Sequence, residues 1–497
     1  MFPRIRSALF LLLFVPFSAR AATCADVLKV LGSQLADVTC FQSMDLTTNN
    51  PLTTPADNSL PGVPARAFTP ITDRGVIAPG AGKRTPITKT VPGLQLDARI
   101  ASDPAGQARF LLRLPDDWNG RLVVAGASGT RSEFNGDFAW SDYVVQRGYA
   151  YASQNKGVLN LILAAVSATP PADPLACRLN PASTVWVHFF DDDPGQPFTR
   201  WTEFMIKAAQ LARGGVEAGY GRSPRFTYAV GTSNGGYQVR RAVETAPELF
   251  DGGVDWEGTF VDEHAPNLLT DLPPAILNFP DYVASTFNPA STAAKNIQGA
   301  GYPPDITLGA LSLWQNYSNS FWEVTQCQWQ KRLDPAYDTY GSGTGTYNYV
   351  SRLSFSDVGA QFAAFATTGR IRRPLVTVAG TMDALLPIDH HARAYARKVA
   401  AASNQKRDDD DRGDSKRDDD LPAYRLYEIQ NGNHIETFQD AFPQLELIEP
   451  HAQRAFELLV NQVEHNVPLP PDQCVPRGGA IAEAPAQAGH CASLFVP

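Results

Sequence analysis

The stretch RFTYAVGTSNGGYQVRRAVET, Arg225 to Thr245, admits few folds. Phe226 to Val230 reads as a buried strand and Gly231 to Gly236 as a tight turn, with a helix following to about Thr245. A serine set between glycines on a strand-to-helix turn sits on strained backbone. The flanking glycines let the chain turn and let strand and helix pack closely.

The rest of the chain repeats this rhythm. ARFLLRLP and RLVVAGASG are short apolar runs closed by turn residues, and FAWSDYVVQRG leads into the strand YAYAS. A long helix is expected in FTRWTEFMIKAAQLARGGVEAGYG. After PELFDGGVDWEG the alternation stops, and it resumes at RPLVTVAG, HHARAYARKVAAAS, PAYRLYEIQ and HAQRAFELLVNQVEHN. Strands alternating with helices predict a mostly parallel, doubly wound sheet, here an α/β-hydrolase fold with an inserted lid. The expected parts are a signal peptide over 1–21, an N-terminal surface segment over 22–107 and a catalytic domain over 108–261 and 366–497. The lid occupies 262–365.

In this fold the chain order is serine, acid, histidine. Ser233 is the expected nucleophile, as Gly231, Ser233 and Gly235 fill G-x-S-x-G. Asp383, in GTMDALLP beyond the strand PLVTVAG, is the expected acid, with Asp255 as the alternative. His434, in NGNHIE after RLYEIQ, is the expected base, and His390 and His391 read as surface residues. His434 takes the serine proton while the acid fixes its tautomer. The oxyanion hole is expected from the N–H of Asn234 and a second N–H after RLVVAG, from Ala127 or Ser128. Read alone, His434 is an exposed turn histidine and Asp383 a turn or capping aspartate. Their order behind the serine favours catalysis.

The first residues, MFPRIRSALFLLLFVPFSARA, have the basic, apolar and small-residue parts of a secretory signal, so export is expected. All six cysteines lie beyond it, and nearness favours Cys24 with Cys40 and Cys474 with Cys491, leaving Cys177 with Cys327. There is no C-x-x-C pair for zinc, and no cofactor or metal is expected. A net charge of −9 argues against nucleic acid, and no later stretch is long and apolar enough to span a bilayer. The charge run Lys406 to Asp420 reads as a solvated loop, since consecutive aspartates lack the geometry of a calcium loop. The aromatics Trp314, Trp322, Trp329, Tyr337 and Tyr340 read first as the lid's own core and second as a stacking surface for an aromatic acyl group.

YGRSPRFTYAVGTSNGGYQ, RGYAYASQNKG and GTMDALLP resemble the tannase/feruloyl esterase family of secreted α/β-hydrolases. The correspondence runs in order from about Ala108 to His465, interrupted by the lid. The resemblance implies carboxylic ester hydrolysis, with Ser233, Asp383 and His434 as the triad and a small-molecule ester as substrate. That family joins a cysteine before the serine to one after the histidine, where this chain has Thr232 and Ile435. Its calcium motif of spaced lid aspartates is not evident here. Ser-Asn-Gly-Gly also resembles secreted hydrolases of 3-hydroxybutyrate oligomers, the second substrate class. A peptidase lacks any visible handle for a peptide terminus, and a non-catalytic binding module would have lost a triad member.

Overall fold

A computed structural model describes residues 21–129, 131–188, 198–337, 344–410 and 423–497, with backbone alone for 406–410. The expected signal peptide, Tyr340 and most of the charge run lie outside the described residues.

Ten strands form one sheet. They are β1 (Leu35–Ser43), β2 (Gly93–Ile100), β3 (Arg109–Pro115), β4 (Arg121–Gly126) and β5 (Ala150–Gln154), then β6 (Phe226–Thr232), β7 (Gly252–Trp256), β8 (Leu375–Gly380), β9 (Tyr424–Ile429) and β10 (Gln473–Val475). Their order is β1-β2-β3-β5-β4-β6-β7-β8-β9-β10. Pairing is antiparallel from β1 to β5 and parallel from there to β10. Both faces are covered, so the central strands are continuous apolar runs. In β4, Leu122 and Val124 pack with helices α2 (Thr199–Tyr220) and α3 (Asn234–Thr245). Val123 and Ala125 face the opposite layer, with Phe456 of a helix we number α7 (Glu449–His465).

The segment 22–107 departs from expectation. It contributes α1 (Cys24–Leu31) and strands β1 and β2, so much of it belongs to the sheet rather than the surface. In β2, Leu94, Leu96, Ala98 and Ile100 alternate correctly for a strand and are buried. The intervening Gln95 and Asp97 are buried as well: Gln95 accepts from Arg113, and Asp97 pairs with Arg109, which also binds Glu133. Arginines from the neighbouring strand satisfy residues that read locally as solvent-facing, by a hydrogen bond to Gln95 and an ion pair with Asp97.

Residues 262–365, between β7 and β8, are mostly helical. They include α4 (Leu268–Ala284) and α5 (Trp322–Leu333). Trp314, Trp322 and Trp329 are buried in an aromatic cluster that continues into Tyr237, Met382, Leu385 and Ile435 beneath it. The start of the charge run is helical: α6 (Ala392–Asp410) carries Lys406 to Asp410, so the expected loop begins later. Lysine and arginine tolerate a helix well.

Three disulfides join Cys24 to Cys40, Cys177 to Cys327 and Cys474 to Cys491, the pairs that spacing favoured. Among the described residues no helix is long and apolar enough to cross a membrane.

Candidate active site

Ser233 ends β6 and opens α3 with φ +59° and ψ −123°, left-handed backbone that a non-glycine residue adopts at a cost of about 1–3 kcal/mol. Three backbone contacts hold it there: its N–H donates to Trp256 O (2.9 Å), and its carbonyl accepts from the N–H groups of Tyr237 (3.1 Å) and Thr259 (3.3 Å). The glycine spacing has a direct cause. A Cβ on Gly231 would lie 2.4 Å from Gly235 O, and one on Gly236 would lie 2.4 Å from Asp255 Oδ1. Any side chain there would push the elbow off the sheet.

The acid and the base come from loops at the C-terminal ends of β8 and β9. Asp383 follows β8; its Oδ1 accepts from the N–H groups of Leu385 (2.8 Å) and Leu386 (2.7 Å). That leaves Oδ2 for His434 Nδ1, 2.8 Å away. His434 follows β9, and both residues are buried. The insertion braces both loops, through Trp322 Nε1–H to Ala384 O (2.7 Å) and Tyr317 Oη–H to Asn433 Oδ1 (2.8 Å). Ser233 and His434 line one cleft of about 650 Å³, open solvent at its mouth included. Asp383 lies behind the histidine, so the expected trio is brought to one place.

Asp255 is excluded as the acid. Its Oδ2 accepts from Arg240 Nε (2.6 Å) and Thr377 Oγ1 (2.8 Å), and its Oδ1 from Gly258 N–H (2.7 Å), so it anchors α3 to the sheet. Two residues later stands a carboxyl the sequence did not flag. Glu257 Oε1 accepts from Gly380 N–H (2.9 Å), and its Oε2 lies 3.5 Å from His434 Nδ1. Burial, and then the charge of Asp383, pushes its pKa well above the usual carboxylate range. Its neutral form is therefore favoured beside Asp383 and His434. No local pattern announced this, because Glu257 is a polar residue at a strand end with φ +51°. Ligand atoms of Glu257, Asp383 and His434 lie within 4.8 Å of one another. With Nδ1 committed to Asp383 and Glu257 neutral, this donor set suits proton handling better than a cation.

Ala127 is a second correction. Its N–H donates to Gln238 Oε1 (3.1 Å), and that of Ser128 to Asn135 Oδ1 (2.9 Å), so neither amide of this pair is directed at the cleft. Lys156 holds the same loop from behind, donating to Ala127 O (2.6 Å) and Ser128 O (3.2 Å). Ser128, Gly129 and Asn234 line the cleft. Asn234 Nδ2–H donates to Gly129 O (3.4 Å), and Asn234 N–H is among the amides at the start of α3 that a helix cannot satisfy internally.

His390 and His391 are not free surface residues. His391 is buried, accepts from Phe260 N–H at Nδ1 (2.9 Å) and has Nε2 3.2 Å from Asp271 Oδ2. His390 Nδ1 lies 3.0 Å from Asp271 Oδ1. Thr232 and Ile435, the positions of the family's cysteines, are both buried.

The family model of the 3HB-oligomer hydrolases (3HBOH) matches residues 348–493, a stretch holding Asp383 and His434 and stopping short of Ser233. D-(-)-3-hydroxybutyrate oligomer hydrolase of Burkholderia thailandensis is 28% identical over 137 residues, 26% of this chain and 17% of that protein. The enzyme of the same description from Burkholderia mallei is 29% identical over 121 residues, 23% of this chain and 15% of that protein. The match thus spans under a fifth of those relatives. Among solved structures, an esterase from Aspergillus oryzae superposes with a TM-score of 0.52 at 14% identity, over 91% of this chain and 90% of that one. Feruloyl esterase B from Aspergillus oryzae gives a TM-score of 0.48 at 13% identity, over 89% and 90%. The whole-chain likeness and the sheet agree: the chain has the α/β-hydrolase fold.

Proposed function

We propose that the protein is a secreted serine carboxylic ester hydrolase working through an acyl-enzyme on Ser233. The observation that carries this reading is the His434–Asp383 pair at 2.8 Å beside a strained serine on the same cleft. Ser233 Oγ attacks the ester carbonyl carbon while its proton passes to His434 Nε2. The resulting oxyanion lies against the N–H of Asn234 and, in place of Ala127, that of Gly129. Collapse breaks the C–O bond, and the leaving alkoxide takes the proton from His434. Water then gives a proton to His434 and attacks the acyl carbon, releasing the acid and regenerating the serine.

The local match to 3-hydroxybutyrate oligomer hydrolases supports small polyester fragments as substrates. A second reading, esters of aromatic acids, draws on Trp329 and Phe321 in the cleft wall. Export is supported by the three disulfides, which persist in oxidising compartments.

The test is turnover of gallate, ferulate, terephthalate and 3-hydroxybutyrate esters by wild type and Ser233→Ala. Hydrolysis of at least one class that is lost in Ser233→Ala is expected. No hydrolysis of any, or equal rates in the two proteins, overturns the reading.

A further inference from the structure

The loop after β4 is clamped from two elements. Gln238, on the helix that Ser233 opens, accepts from Ala127 N–H (3.1 Å) and from Gln154 Nε2–H (3.1 Å) at the end of β5. Lys156, two residues beyond Gln154, donates from Nζ to Ala127 O (2.6 Å) and Ser128 O (3.2 Å). Lys156 itself has φ +64°, so like Ser233 it holds left-handed backbone at a cost of about 1–3 kcal/mol.

A buried lysine is a costly way to hold a loop. Burial, and then Arg131, pushes the pKa of Lys156 well below the usual lysine range, against the pull of Asp73. Arg113 and Arg240, equally buried, spend their charge on Asp137 and Asp255, each at 2.6 Å. Lys156 spends its hydrogen bonds on two backbone carbonyls. The Trp201 ring, its centroid 5.5 Å from Nζ, favours the charged form. Nζ–H donates to a carbonyl in either protonation state, most strongly as the ammonium. Ser128 C=O and Gly129 N–H belong to one trans peptide unit, so they point in opposite directions. The bond at Ser128 O therefore turns Gly129 N–H away from the enclosed lysine, and Gly129 lines the cleft. The amides of Ala127 and Ser128 are already engaged by Gln238 and Asn135. Drawing electron density toward Ser128 O makes the N–H of the same unit a stronger donor.

We infer that Lys156 is a positioning residue for the oxyanion hole. Through Ser128 O it orients and polarises the Ser128–Gly129 peptide, so that Gly129 N–H meets the charge formed on the substrate carbonyl oxygen. This rests on the acyl-enzyme reading, with Ser233 as the nucleophile. Lys156 touches no reacting atom. Its contribution grows only as the oxyanion forms, and so falls on kcat rather than KM.

The test pairs 4-nitrophenyl butyrate with 1,1,1-trifluoropentan-2-one, a ketone carrying the same acyl chain. Ser233 Oγ adds to the ketone carbon, the serine proton passes to His434 Nε2, and the ketone oxygen becomes an oxyanion in the hole. In Lys156→Met, kcat/KM falls by about tenfold to a hundredfold, less than the loss of a direct donor. The Ki of the ketone rises by a similar factor, while KM stays within about threefold. Where Lys156→Met does not fold, Lys156→Met with Asp73→Asn, which also removes the opposing charge, is compared with Asp73→Asn alone. A further arm needs wild type only. Labelling serine with 13C at the carbonyl and glycine with 15N selects the two Ser-Gly peptides of the chain, 128–129 and 342–343, and Ser342→Ala assigns them. Adduct formation moves the Gly129 amide proton downfield. Unchanged kcat/KM and Ki in the folded variant, a fall in kcat/KM with Ki unchanged, or a Gly129 amide unmoved in the inhibited wild type overturns the proposal. Failure of the serine reading looks different: the ketone then forms no adduct, and 4-nitrophenyl butyrate is not hydrolysed or is hydrolysed equally by Ser233→Ala.

Discussion

Two histidine–aspartate groups lie in this molecule, and their chemistry differs. His434 faces a cleft with Ser233, and its Nδ1 is committed to Asp383 behind it. His391 spends both nitrogens inside the protein, one on Phe260 N–H and one beside Asp271, while His390 shares the same carboxylate. The second group ties α4 of the insertion to the segment after Asp383. Residue types are alike in both, and His391 and Asp271 are as buried as His434 and Asp383; what separates them is whether one ring nitrogen remains for a substrate. A buried histidine beside an aspartate is therefore no sign of catalysis until its second nitrogen is accounted for.

Variants of the first group carry the largest expected effects. Ser233→Ala or His434→Ala lowers kcat by about a millionfold, and Asp383→Asn by about ten thousandfold through loss of the correct tautomer. His391→Asn leaves the chemical step in place and lowers stability. Steady-state kinetics paired with thermal melts separates the two behaviours, and loss of turnover in a well-folded His391→Asn would erase the contrast.

The next effect is on stability. Asp255→Asn weakens the Arg240 anchor and Asp271→Asn strands its two histidines; each costs about 3–5 kcal/mol, as for other broken buried pairs. Neither is expected to change the ionisation behind catalysis.

The dependence on pH sharpens the comparison further. Burial raises the pKa of Asp271, but its hydrogen bonds to His390 and His391 outweigh this and hold it below 3.8. Its contribution is present above 3.8 and is lost as pH falls through the lower folded value. His390 is the converse: burial lowers its pKa, the bond to Asp271 more than restores it, and the folded value exceeds 6.5. Its contribution is complete below 6.5 and is lost as pH rises through the folded value. His391, lowered chiefly by burial, acts against this, contributing above 6.5 and losing its contribution as pH falls. The Asp271–His390 term is therefore fullest between 3.8 and 6.5. The stability gap between wild type and Asp271→Asn should narrow above that window; denaturant melts across pH measure it.

Glu257→Gln carries the smallest effect. Glutamine keeps the acceptor for Gly380 N–H and mimics the neutral acid, so turnover near neutral pH should change by less than about tenfold. The folded pKa is raised, so the wild-type contribution is complete below 4.5 and is lost as pH rises through the folded value. The stability of Glu257→Gln relative to wild type should increase with pH, and a gap independent of pH would mean that Glu257 is ionised beside His434.

How much of this was legible in the sequence follows from how local each feature is. The elbow glycines were readable because the contacts that forbid a Cβ lie within the turn and its neighbouring strand. Asp383 and His434 were readable from their places after β8 and β9. Glu257, the Lys156 prop and the engaged amide of Ala127 were not, since each depends on a side chain brought in from another strand or helix. The strand β2 was hidden for the same reason: Gln95 and Asp97 read as solvent-facing until Arg113 and Arg109 are placed beside them. Periodicity carries elements and turn chemistry; it does not carry which buried charge meets which.

The most direct measurement is peptide mapping by mass spectrometry after treatment with a fluorophosphonate. The account predicts one adduct, on the peptide containing Ser233, absent in Ser233→Ala, strongly slowed in His434→Ala and retained in folded Asp271→Asn. No adduct on wild type, or an adduct at another residue such as Ser128, would contradict it.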